Sequence, residues 1–86
     1  MTYSYTYQQC GKELKELVKN RVAIDKIGAW AYRQYLNHQF EIDPDSDLDT
    51  LLLDLGTMEM GPEFELSYEK LDAMADRLIA GEKVVF

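Results

Sequence analysis

Leucines at positions 48, 51, 52 and 55, followed by Met58, recur every three or four residues, which lays them along one face of an α-helix. A helix with such a face folds only if something covers it, and three other segments carry faces of the same period. Cys10, Leu14, Leu17 and Val18 share one side of a segment whose other side holds Lys12, Glu13, Lys15, Glu16 and Lys19. Ile24, Ile27, Gly28, Ala31, Tyr35 and His38 form a second stripe, in which the small Gly28 and Ala31 allow a neighbouring helix to come close. Leu71, Met74, Ala75, Leu78 and Ile79 form a third. Asn20 suits a helix end and Asp25 a first turn, where its charge meets the positive end of the dipole. Gly61–Pro62 stops the leucine helix, Ser67 suits the N-cap of the last one, and Gly81 ends it.

Connections of about 4–8 residues favour neighbouring helices in up-and-down order. The prediction is an all-α, antiparallel four-helix bundle forming one domain over residues 1–86, since a chain of 86 residues has room for one modest core. Residues 1–9 stand apart. In "TYSYTYQ" the tyrosines at 3, 5 and 7 alternate with Thr2, Ser4 and Thr6, which is strand periodicity. They read as an extended arm laid on the bundle, with the C-terminal "KVVF" as the available partner. The same stretch also suits an untethered terminus.

The net charge of −7 is unevenly divided. Residues 1–40 hold six Lys/Arg and three acids; residues 41–86 hold three Lys/Arg (Lys70, Arg77, Lys83) and thirteen acids. Such a field repels nucleic acid and anionic lipid and draws in basic partners. No apolar run reaches the roughly 18 residues of a membrane span. "MTYSYTYQQCG" has neither the basic start nor the apolar segment of a secretory signal, and a lone Cys10 suits a reducing compartment, so the expected location is the cytoplasm. One His, one Cys and scattered hydroxyls assemble no nucleophile, base and orienting group, so the chain does not read as an enzyme, and no cofactor is expected. His38 reads as a packed or capping group and Cys10 as packing.

"EIDPDSDLDTLLLDL" (41–55) admits three readings. As a calcium loop it places Asp43, Asp45 and Asp47 at positions 1, 3 and 5, but Leu48 stands where the sharp turn needs Gly and Asp54 where a bidentate Glu belongs. "DSDLDTLLLDL" also resembles the stretch around the modified serine of acyl carrier proteins, which would make Ser46 a phosphopantetheine site. It departs from that family at Asp47, where Leu is expected, and in lacking the preceding Gly. The third reading is a protein-binding surface. Glu69, Asp72 and Asp76 stack on the last helix without a local counter-ion, and Asp43, Asp45, Asp47, Asp49, Glu63 and Glu65 extend the same sign. Leu53 and Met60 fall opposite the leucine stripe, beside these carboxylates, as apolar anchors with a charged rim; Trp30 is a further anchor. Leu53 packed under the tyrosine arm is the competing placement.

The order of parts, "VKNRVAIDKIGAWAYRQYL", an acidic loop, then "LDTLLLDLGTMEMGPEFELSYEKLDAMADRL", resembles the small acidic helical immunity proteins of bacteria, of the colicin D immunity and contact-dependent growth inhibition type. The resemblance spans roughly residues 10–80. It implies a monomer that binds a cognate basic toxin, a nuclease domain acting on RNA, in a 1:1 complex and blocks its cleft with carboxylates.

Overall fold

Helix formation begins earlier than the apolar spacing implies. In the computed structural model, which describes residues 3–61, 63 and 65–82, the first helix, α1, spans Tyr7–Lys19. Thr6 is extended (φ −113°, ψ 169°), and its hydroxyl accepts a hydrogen bond from the Gln9 amide at 3.3 Å, which satisfies one of the free donors of the first turn. Tyr7, Gln8 and Gln9 therefore leave the extended segment for the helix, and, among the described residues, 3–6 precede it. That short piece is tied down at Tyr5, whose amide donates to the Glu41 carbonyl at 3.2 Å and whose ring stacks on His38 at 4.3 Å. Tyr5 is buried. The expected partner strand "KVVF" lies outside the described residues.

α2 spans Ile24–His38 and α3 spans Leu48–Gly56; a single 3-10 turn, Pro44–Ser46, lies between them, and a second, Thr57–Glu59, continues α3. α4 spans Tyr68–Ile79. All four predicted helices are present, and no strand occurs among the described residues. No helix is long and apolar enough to cross a membrane. Ser67 caps α4 as expected, its Oγ accepting from the Lys70 amide at 3.2 Å. The tightening after Gly56 turns Glu59 outward, so the acid that an unbroken α-helix would aim at the core is exposed.

Two helices end by the same device. After α4, the Gly81 amide donates to Leu78 and the Glu82 amide to Arg77, with Gly81 left-handed at φ 82°. After α1, the Arg21 amide donates to Val18 and the Val22 amide to Leu17, with Arg21 in the same region at φ 52°. Both are Schellman caps. The glycine adopts its conformation without steric cost, whereas Arg21 must be held there; its guanidinium lies over the Tyr68 ring at 4.9 Å, and the Tyr68 hydroxyl donates to the Val22 carbonyl at 2.9 Å.

The helices pack as two pairs, α1 on α4 and α2 on α3 with its 3-10 extension. In the first pair the start of α1 lies against the end of α4. A Cβ placed on Gly11 would sit 2.8 Å from the Ile79 amide nitrogen and 2.9 Å from the Ala75 carbonyl oxygen. In the second, a Cβ on Gly28 would sit 2.9 Å from the Glu59 nitrogen and 3.2 Å from the Leu55 carbonyl oxygen. Both glycines are buried. One core joins the pairs: Cys10, Leu14 and Val18 of α1, Ile27 and Ala31 of α2, Leu48, Leu51, Leu52, Leu55 and Met58, and Leu71, Met74, Ala75 and Leu78 of α4. Every residue predicted for the leucine face is buried. Ile79 is the exception on α4, lying at the rim with 36% exposure.

Gly11→Ala and Gly28→Ala should each lower stability. Overpacking costs about 1–3 kcal/mol, and the better helix propensity of alanine returns at most about 1 kcal/mol of it. Gly56→Ala, whose added Cβ would lie 3.3 Å from the Tyr32 Cβ and 3.8 Å from the nearest backbone atom it meets, the Gly28 carbonyl oxygen, should cost less than either. Denaturant midpoints of the three variants check the order; an equal effect at all three would remove backbone contact as the cause.

Candidate protein-binding surface

The strip of carboxylates expected on α4 is present, but it is not without a counter-ion. Lys15 of α1 reaches across the helix pair to Asp72 at 2.9 Å and Asp76 at 2.8 Å. Hydrogen bonds donated to Asp76, and then to Asp72, hold the Lys15 ammonium above its ordinary value near 10.5. The correction has a simple cause. Charges on one helix can be read from spacing, but those facing it across a helix pair depend on which helices pack together. Glu69 and Asp72 also line a shallow hollow of about 320 Å³ shared with Lys15, Lys19 and Arg21, so this side of the molecule is of mixed sign.

The 41–49 loop spends part of its acidity on its own folding. Ile42 is buried and anchors it. The Asp43 carboxylate accepts from the Asp45 amide at 2.9 Å, and Asp49 accepts from the Thr50 amide at 2.9 Å. Asp47 takes a left-handed conformation (φ 61°) between the 3-10 turn and α3, a region that aspartate tolerates better than most side chains. The Ser46 hydroxyl donates to the Asp43 carbonyl at 2.6 Å and accepts from the Leu48 amide at 3.3 Å. It serves the turn and is only partly exposed. Among the described residues no three His, Cys, Asp or Glu side chains are gathered as a metal site. Asp45, Asp47, Glu63 and Glu65 are exposed, Glu63 with its carboxylate beside Gly61.

α2 and α3 leave an apolar groove between them. Its volume is about 310 Å³, and Tyr32, Leu53, Gly56, Thr57, Glu59 and Met60 line it, so the only charge among its described lining residues is a carboxylate. Leu53 is 39% exposed and Met60 74%, while Tyr32 supplies the facing wall. Leu53 thus lies beside Tyr32 of α2, away from the tyrosines that precede α1. Trp30 is half-buried against the core and does not line the groove. Sequence reasoning missed two neighbours. Leu36, one turn beyond Tyr32, is 48% exposed, and Phe40, just past the end of α2, is 89% exposed. Their signal was the interval itself, since 32, 36 and 40 repeat at four on the side away from Ile27 and Ala31.

At the C-terminal end of α2, His38 Nδ1 meets the Glu41 carboxylate at 2.6 Å, a hydrogen bond that draws the Glu41 carboxyl below its ordinary value near 4.5. His38 is thus a packed group with a partner, as its place on the stripe implied. Burial pushes the Cys10 thiol up to about 12, which keeps it protonated at neutral pH and unsuited to nucleophilic attack. Burial likewise raises the Tyr5 phenol, whose hydroxyl donates to Glu13 at 3.2 Å.

The Lys15 bridge makes a prediction about pH and salt. Because its folded pKa is raised, its contribution is fully present below about 10.5 and disappears as pH rises through the higher folded value. Lys15→Gln should therefore melt below the parent at neutral pH and converge with it at strongly alkaline pH. The gap should also narrow in about 1 M salt, where the screening length falls to about 3 Å. Thermal melts of both proteins check this, and a gap indifferent to salt and pH would mean the lysine acts only through its alkyl chain. Comparison with known protein families, with curated proteins and with solved structures finds no match for this chain.

Proposed function

We propose that this protein is a non-enzymatic inhibitor of the toxin-immunity kind, which binds a basic nuclease and blocks its cleft as a cytoplasmic monomer in a 1:1 complex. We read its frame as an antiparallel bundle, from the opposed ends that meet at Gly11 and at Gly28. The observation that carries the functional reading is the groove of Tyr32, Leu53 and Met60, with Glu59 as the only charge among its described lining residues. Exposed apolar anchors beside carboxylates suit a partner that is cationic around an apolar or aromatic contact.

The two parts of the surface have separate tasks. Net charge of −7 steers a basic partner from a distance and acts on the association rate. Burial of Leu53 and Met60 acts on dissociation, because it is realised only in the docked complex. Asp43, Asp45, Asp47 and Asp49, together with Glu63 and Glu65, supply acceptors for arginine and lysine side chains that would otherwise hold RNA phosphates. Asp72, Asp76 and Glu69 contribute less than their number implies, because Lys15 already answers two of them.

The experiment is a binding measurement against the basic protein retained at low salt from the source cell, purified and assayed as a nuclease. Leu53→Asp combined with Met60→Asp should raise the dissociation rate by roughly 30-fold or more, as loss of a central anchor of about 2 kcal/mol does, with the helical signal intact. Asp45→Asn with Asp49→Asn should lower the association rate and flatten its salt dependence. Unchanged rates in both variants would sink the proposal, as would a retained partner without nuclease activity.

A further inference from the structure

A second hollow lies between the segment that precedes α1 and the 3-10 turn of the acidic loop. Its volume is about 460 Å³, and Tyr3, Tyr5, Tyr7, Asp43, Ser46 and Leu48 bound it. Its two remaining described lining residues are neutral, so Asp43 is the one charge among the described lining residues. We propose that this hollow receives an organic cation, and in a protein partner the guanidinium of an exposed arginine. As a partner contact the proposal rests on the inhibitor reading; as a cation site it does not.

The chemistry of the walls selects the ligand. Aromatic faces carry negative charge density and attract cations, arginine above all, because its planar group also stacks. One face of Tyr5 is already covered by His38, and its ring is nearly inaccessible, so the half-buried Tyr3 and Tyr7 present the rings and Tyr5 closes the interior. Asp43 supplies the counter-charge. One of its oxygens accepts from the Asp45 amide, and a carboxylate has acceptor capacity beyond a single such bond. An anion would meet this carboxylate with no base among the described lining residues, and a neutral apolar group would desolvate it without recompense.

The hollow is also held in shape before any ligand arrives. The Tyr5 amide is bonded to Glu41, the Tyr5 ring rests on His38, and the Ser46 hydroxyl is fixed to the Asp43 carbonyl, so the two walls are joined by contacts at their base. Binding then has little chain to order.

The test uses the free protein and the small cation ethylguanidinium, with ethylurea as its neutral near-isostere. In a nuclear magnetic resonance titration, ethylguanidinium should give saturable shifts of the Tyr3 and Tyr7 ring signals and the Ser46 amide, and ethylurea should not. Asp43→Asn, which can still cap the Asp45 amide, should weaken binding by about tenfold, the worth of a charge-assisted hydrogen bond. Three results would overturn the site: no saturable shift, equal response to ethylurea, or undiminished binding to Asp43→Asn. Since no partner protein takes part, failure here leaves the inhibitor reading standing, and failure of nuclease binding leaves this pocket standing.

Discussion

Two points of contact between helix backbones set the rest of the structure. At Gly11 and at Gly28 a neighbouring helix comes so near that a single added carbon would lie within 3 Å of main-chain atoms. Such contacts leave no freedom in how the members of a pair cross. Once α1 is seated on α4 at Gly11, Lys15 lies one turn along and opposite Asp72 and Asp76, and the Arg21 turn lies opposite Tyr68. Once α2 is seated on α3 at Gly28, Tyr32 falls beside Gly56 and Leu53, and the groove follows.

The pairing also decides which charges remain available. The excess of bases in the first half of the chain and of acids in the second are brought together where α1 meets α4, and part of the field is cancelled there. On the α2–α3 side, Glu59 lies beside the exposed Leu53 and Met60, so a carboxylate and apolar anchors share one groove. A chain with the same composition and another pairing of helices would present a different face.

The helices themselves were legible from residue spacing, because burial of one face is a local pattern: all five residues of the leucine stripe are buried, and Ser67 and Gly81 mark the ends of α4 by their chemistry. Gly28 announced a close approach for the same reason. Three features were not legible. Thr6 draws the last three residues of the expected arm, Tyr7, Gln8 and Gln9, into α1, since a cap outweighs a short strand pattern that has no neighbour among the described residues. Arg21 occupies a place where glycine is the usual signal, and its restraint comes from Tyr68, 47 residues away along the chain. Lys15 and the α4 carboxylates are a tertiary meeting that no window of sequence contains. Of the candidate surface, Leu53 and Met60 were readable as residues off the core stripe, whereas Leu36 and Phe40 lie outside the stripes that the spacing was read for.

The connection of the pairs has a consequence for the growing chain. α2 and α3 are consecutive, so they can close on each other as soon as both exist, by contacts of short sequence separation. α1 has to wait for α4, made after α2 and α3, and until then Cys10, Leu14 and Val18 lack the cover that α4 supplies. During synthesis the first helix is thus the one longest exposed to wrong associations, and the Lys and Glu side chains on its other face keep it soluble in that interval. The order of assembly thus differs from the order of appearance: α2 with α3 first, and α1 only once α4 is made.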